Sequence, residues 1–237
     1  MYSKKQLIAA APLVLSLAAF TQEALAVTDI TTCQTISESG SFRLTRNLSA
    51  NGDCLVVTAD RVEIDLRGHT IGGDGTGTGV TDQRRRGGFA ITLRDGTIAN
   101  FQQGVNLGQT EGSVVEQLRV VESGDVGITL FSGRVRSNVV FDVDGSAGIQ
   151  VGTGVVADNF VSEVGTTGIV VGSGSTVIGN SVSVAGRDGV SARCPARVAD
   201  NSVRGFDANK TDGFTGVAIA TSGSGCSVSD NASNFIK

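Results

Sequence analysis

Few residues in this sequence are equipped for chemistry, and the arginines are the most conspicuous of them. Arg84, Arg85 and Arg86 form a run, and Arg67, Arg94, Arg134 and Arg136 recur along the chain. A guanidinium is planar, weakly hydrated and suited to carboxylate-bearing ligands. These seven residues are therefore the candidate binding groups for an acidic polysaccharide. Asp65, His69 and Asp95 lie among them in sequence and form the candidate catalytic set. In that role His69 or a carboxylate would transfer a proton while the arginines neutralise substrate carboxylates. The structural alternative is that His69 sits in a turn and that the arginines pair with the turn carboxylates Asp95, Glu116, Asp158 and Asp200. Asp142 and Glu163 hold equivalent places in successive repeats of the chain and form a carboxylate pair of the kind found in retaining glycosidases or calcium sites. Calcium has no specific motif here, and no cofactor is expected. The glycine run over residues 72–79 continues into Val80 rather than Lys-Ser/Thr, so it is no phosphate loop. A single histidine, with Met1 the only methionine, argues against a soft-metal site.

Composition narrows the elements that can position these groups. Of 237 residues, 33 are glycine and 2 are proline. Interior glycine destabilises a helix by about 1 kcal/mol, so the chain is expected to be all-β. Lys4 and Lys5 precede an apolar run and Ala24-Leu25-Ala26, the pattern of a secretory signal. Residues 1–26 are read as a signal peptide and residues 27–237 as one domain, secreted or periplasmic, with no transmembrane segment. Losing Lys4, Lys5 and Glu23 moves the charge of the expected mature chain from −4 to −5, so nucleic acid is not an expected partner. That mature chain has no Trp or Tyr to stack on sugar rings.

Periodicity sets the fold. Asparagines stand at 138, 159, 180 and 201, at one constant interval. Extended in both directions, the series reads 47, 69, 96, 117, 138, 159, 180, 201 and 231, nine copies with steps of 22, 27, five of 21, and 30. Three positions before each stands Leu or Val, from Leu44, Leu66, Leu93 and Val114 onward; two positions after come Ile71, Ile98, Val140, Val161, Val182 and Val203, with Arg119 an exception among them. A third apolar column follows glycine at Gly104-Val105, Gly127-Ile128, Gly148-Ile149, Gly168-Ile169, Gly189-Val190 and Gly216-Val217. Three short strands per coil and about nine coils describe a parallel β-helix. The asparagines are expected to stack and satisfy the turn backbone. The extra length of the second step is assigned to residues 81–88 and that of the last step to residues 207–216, as loops leaving the rod.

The cysteines fit that stack. Cys33 and Cys54 hold equivalent places on neighbouring coils, as do Cys194 and Cys226. Stacked Cα atoms are about 4.8 Å apart, within disulfide range, so the bonds Cys33–Cys54 and Cys194–Cys226 are predicted to pin the two ends.

The stretch Val62-Glu63-Ile64-Asp65-Leu66-Arg67-Gly68-His69-Thr70-Ile71-Gly72-Gly73 is similar to the first coil of exported bacterial members of the right-handed parallel β-helix superfamily, which includes the pectate lyases. The resemblance implies a right-handed single-domain β-helix and a pectate-lyase-like acidic polysaccharide, bound and cleaved by a lyase or hydrolase reaction. The uncharged outer residues Asn106, Thr129, Gln150, Val170, Ser191 and Ala218 depart from a lyase cleft on that face. The competing expectation is a non-catalytic surface adhesion or envelope scaffold module, with a cell-envelope component as partner.

Overall fold

The computed structural model describes residues 27–83, 87–184, 186–206 and 218–236. The expected signal peptide, Arg84, Arg85, Arg86 and the 207–216 loop, together with Gly216 and Val217 of the third column, lie outside the described residues. The first strand among the described residues is Val27–Ile30.

Every strand pair is parallel, and the described residues contain no helix. Each coil contributes strands to three sheets. Examples from one turn are Phe160–Val164 after the asparagine, Thr167–Val171 opening the next coil, and Ser175–Ile178 before the next asparagine. Nine asparagine-type positions bound about eight turns of a β-solenoid. The first coil is short, since Val27 already pairs with Ser41.

The asparagines form the axial spine. Asn138, Asn159, Asn180 and Asn201 are each 1 % exposed. The backbone N–H and side-chain Nδ2 of Asn138 both donate to Oδ1 of Asn159 at 3.0 Å. Asn159 donates in the same way to Asn180, and Asn180 to Asn201. Each Nδ2 also reaches a strand carbonyl of the preceding coil, as Asn159 does to Val135 at 3.0 Å. Left-handed backbone falls on the residue before the rung: Asp95, Gln117, Ser137, Asp158, Asp200 and Asp230 have φ between 54° and 60°. Aspartate tolerates that region better than most residues.

Register corrects four of the expected columns. In the third, Val190 pairs with Ile219 rather than Val217, so Ala218, expected outside, is buried and Ala220 takes the place beside Ser191. Gly96 pairs with Leu118, not Gln117, and Leu93 with Val115, not Val114. Leu118 and Val115 are buried whereas Gln117 is exposed. Arg119 then stops being an exception, because the inward residue two after the rung is Val120, fully buried. Leu93 stacks on Ile64 rather than on Leu66, whereas Ile98, beyond the turn, keeps its expected partner Ile71. The cause is a longer turn between Leu66 and Thr70. Arg67 and Gly68 have φ of 50° and 76°, and the His69 N–H closes on the Leu66 carbonyl at 2.8 Å. Leu66 turns inward there, and a Cβ on Gly96 would lie 2.4 Å from the Leu66 Cβ. The third column needs glycine for a similar reason: a Cβ on Gly127 would stand 2.6 Å from the Gly148 carbonyl oxygen and from Val140.

Both disulfides form as predicted, with Cα separations of 4.5 Å for Cys33–Cys54 and 5.0 Å for Cys194–Cys226. They suit an oxidising extracellular or periplasmic setting. No helix of the described residues is long and apolar enough to cross a membrane.

Asn159→Ala strands the buried Asn138 N–H and Val135 carbonyl that its side chain satisfies. It is expected to cost about 3 kcal/mol or more in urea unfolding; a loss below about 1 kcal/mol would contradict the spine.

Candidate functional site

The arginines lie on the outside of the sheet that precedes the rungs. Side chains alternate across a strand, so the residues flanking each buried Leu or Val face solvent. One outer column, followed by register, runs Asp29, Arg43, Asp65, Arg94 and Glu116, and Arg136 joins it through an ion pair with Glu116. Charge alternates at every coil. Arg43 Nε donates to Asp29 Oδ1 at 2.6 Å, Arg94 Nη2 lies 2.9 Å from Asp65 Oδ2, and Arg136 Nε donates to Glu116 Oε2 at 2.6 Å. Arg94 also binds Glu63 through Nε and Nη2, at 3.2 and 3.0 Å. Like charges stacked at about 4.8 Å would repel, whereas alternation makes each step attractive by about 0.2–1 kcal/mol.

Part of the candidate site does come together. Asp65, Arg67 and Arg94 share an open hollow of about 380 Å³ with Glu63, Arg43, Ser41, Phe42 and Val27. Both of its carboxylates are engaged. Asp65 Oδ1 accepts the Arg67 backbone N–H at 2.8 Å, which shapes the turn, while Oδ2 faces Arg94. Glu63 binds Arg94 and accepts from the Ser41 hydroxyl at 3.4 Å. The arrangement holds charge in place.

His69 and Asp95 do not line this hollow. His69 is half-buried in its turn, where its carbonyl accepts the Thr97 N–H at 3.0 Å. Asp95 is the exposed left-handed residue of the next turn, and its carbonyl accepts the Gly68 N–H at 2.7 Å. Arg136 is paired with Glu116, as is Arg94 with Glu63 and Asp65. Arg134 is exposed and has no ion pair among the described residues. Among the described residues, Glu116 is the one expected turn partner that takes an arginine, and Asp29, Glu63 and Asp65 supply the other ion pairs. Asp74, in the glycine run, is held below the usual carboxylate range by hydrogen bonds from the Thr76 hydroxyl and N–H, so it serves a turn.

Two aromatic residues absent from the sequence-derived set lie on the outside of the sheet after the rungs. Phe160 is exposed, and the Arg119 guanidinium lies 4.3 Å from the centre of the Phe141 ring. Looking only for Trp and Tyr hides them; the outward positions one and three after each rung would have revealed them. Asp142 and Glu163 fall in register at the adjoining turn, both exposed and left-handed. The described residues contain no group of three or more His, Cys, Asp or Glu arranged to hold a metal ion. Comparison of the chain with protein-family models, curated proteins and solved structures found no match.

Arg136→Glu places two carboxylates on adjacent coils. It is expected to cost about 1 kcal/mol at low ionic strength and less than half of that at 1 M salt, where screening acts within about 3 Å. Identical unfolding midpoints for the variant and the wild type at low salt would contradict the alternating column.

Proposed function

We propose that this chain is an exported β-solenoid that works by binding rather than by cleavage, as a surface adhesion or envelope scaffold module. The observation that supports this reading is the occupancy of the hollow's carboxylates. Glu63 and Asp65, the acids best placed to act on a ligand beside Arg67, both bind Arg94 already, and Asp65 also holds the Arg67 turn. Moving a proton through either would break a contact that joins neighbouring coils.

A second reading, recognition of an acidic polysaccharide, is favoured by a separate observation on the same sheet. The neighbouring outer column carries Arg134, Val155, Thr176 and Arg197 on successive coils. Arg134 and Arg197 are exposed and without ion pairs among the described residues. Three coil spacings place them about 14 Å apart, a span over which two guanidinium groups would take carboxylates from one extended anionic chain. A pectate-lyase-like cleavage of such a chain would require Asp65, His69 or Asp95 to reach it from three different settings.

The test incubates the purified mature protein with immobilised and soluble uronic-acid glycans, and with neutral glycans as comparison. Retention on the anionic glycans is expected, with no gain in reducing ends or in unsaturated-uronate absorbance. The double variant Arg134→Ala/Arg197→Ala is expected to lower that retention by about tenfold, as for loss of about 1.4 kcal/mol. Product release would overturn the non-catalytic reading. Equal retention of the variant would overturn the arginine pair as the glycan site.

A further inference from the structure

The sheet after the rungs presents a different surface. Its outward positions carry Arg119, Val139 and Phe160 in one column and Val121, Phe141 and Ser162 in the next. Val139, Phe141 and Phe160, with the nearly covered Val121, make one flat apolar patch over adjacent coils, and Phe160 is 46 % exposed. Acidic residues border it on both sides. Asp142 and Glu163 line the turn that follows, Asp158 the turn that precedes, and all three are exposed and without ion pairs among the described residues.

The chain already shows what such a surface accepts. Arg119 lays its guanidinium over Phe141 at 4.3 Å, in the geometry that the negative face of a ring favours. Phe160, one coil further on, offers a second ring between carboxylates, and among the described residues no cation is stacked on it. Phosphate or uronate ligands would be repelled by Asp142, Asp158 and Glu163, and a neutral sugar would leave those charges unused. A guanidinium uses both features, stacking on the ring while its N–H groups reach a carboxylate.

We infer that the Phe160 patch is a docking surface for an arginine-bearing extended segment of a partner protein. The ring would take one guanidinium, and the carboxylates at the bordering turns, Asp142 and Glu163 among them, would steer the cationic segment onto the sheet. The patch spans adjacent strands of one sheet, which suits an extended segment whose side chains alternate. This inference rests on the binding-module reading and gives that module a partner chemistry.

The probe is a fluorescent peptide of alternating Arg and Ser, followed by anisotropy with the full mature protein at low ionic strength. The Arg peptide is expected to bind, and a Glu-Ser peptide of the same length is not. Phe160→Ala and Phe160→Leu are each expected to weaken binding by about fivefold, because leucine keeps apolar area but loses the ring face. Asp142→Asn/Glu163→Gln is expected to weaken it by about fivefold and to flatten its salt dependence. Phe160 is exposed, so unchanged thermal unfolding should confirm that these variants stay folded. No binding of the Arg peptide, wild-type binding by Phe160→Leu, or no effect of the carboxylate pair would overturn the proposal. The glycan assay reads a different sheet through Arg134, so failure of the peptide leaves that result standing.

Discussion

At every coil of this solenoid the chain turns sharply between two sheets, and at one corner the peptide groups point inward, away from water. Buried amides and carbonyls must find partners, and stacked turns offer few. Asparagine is the compact side chain that both accepts and donates twice. Asn138, Asn159, Asn180 and Asn201 pass the same pattern from coil to coil, and Asn231 closes the series by accepting from Asn201 at 2.9 Å. Aspartate in these places would lack the donors and would stack buried charge. The spine fixes axial register, and register decides which outer residues meet. The Phe141–Phe160 patch, on the coils of Asn138 and Asn159, is a consequence of it; the ion-pair column lies on earlier coils, whose register is carried by strand pairing instead.

That dependence explains what is legible in the sequence. Where rungs are asparagine and turns are equal, a fixed count is enough, and the apolar columns follow from it; the cysteine pairs are legible at the unequal ends because the two members of each sit at similar distances before their rungs. Where the rung is not asparagine, the count slips. Leu118 donates its N–H to Asn138 Oδ1 at 2.9 Å but has no amide to pass on, so nothing in its side chain marks it, and Gln117 beside it looks the better match. The Leu66–His69 turn conceals its extra length because Thr70-Ile71 still aligns with Thr97-Ile98.

The ion-pair column is hidden for the same reason. The intervals between Asp29, Arg43, Asp65, Arg94, Glu116 and Arg136 are unequal, so no fixed period connects them. Sequence proximity points instead to carboxylates within the turns, such as Asp95 and Asp158. Those residues are left-handed and exposed, held by backbone needs at the corner. The chain therefore separates its charge. One sheet is stitched by compensated pairs, while the corners around the Phe160 patch keep uncompensated carboxylates, which is the arrangement expected of a body that binds different chemistry on different faces.

Native-state hydrogen exchange of the rung amides tests the spine most directly. If the asparagine stack holds the coils in register, the backbone N–H groups of Asn138, Asn159, Asn180 and Asn201 should exchange only through global unfolding, with the same free energy as the buried strands on either side. Exchange of those four amides at the rates of exposed turns, with the strands still protected, would contradict the account.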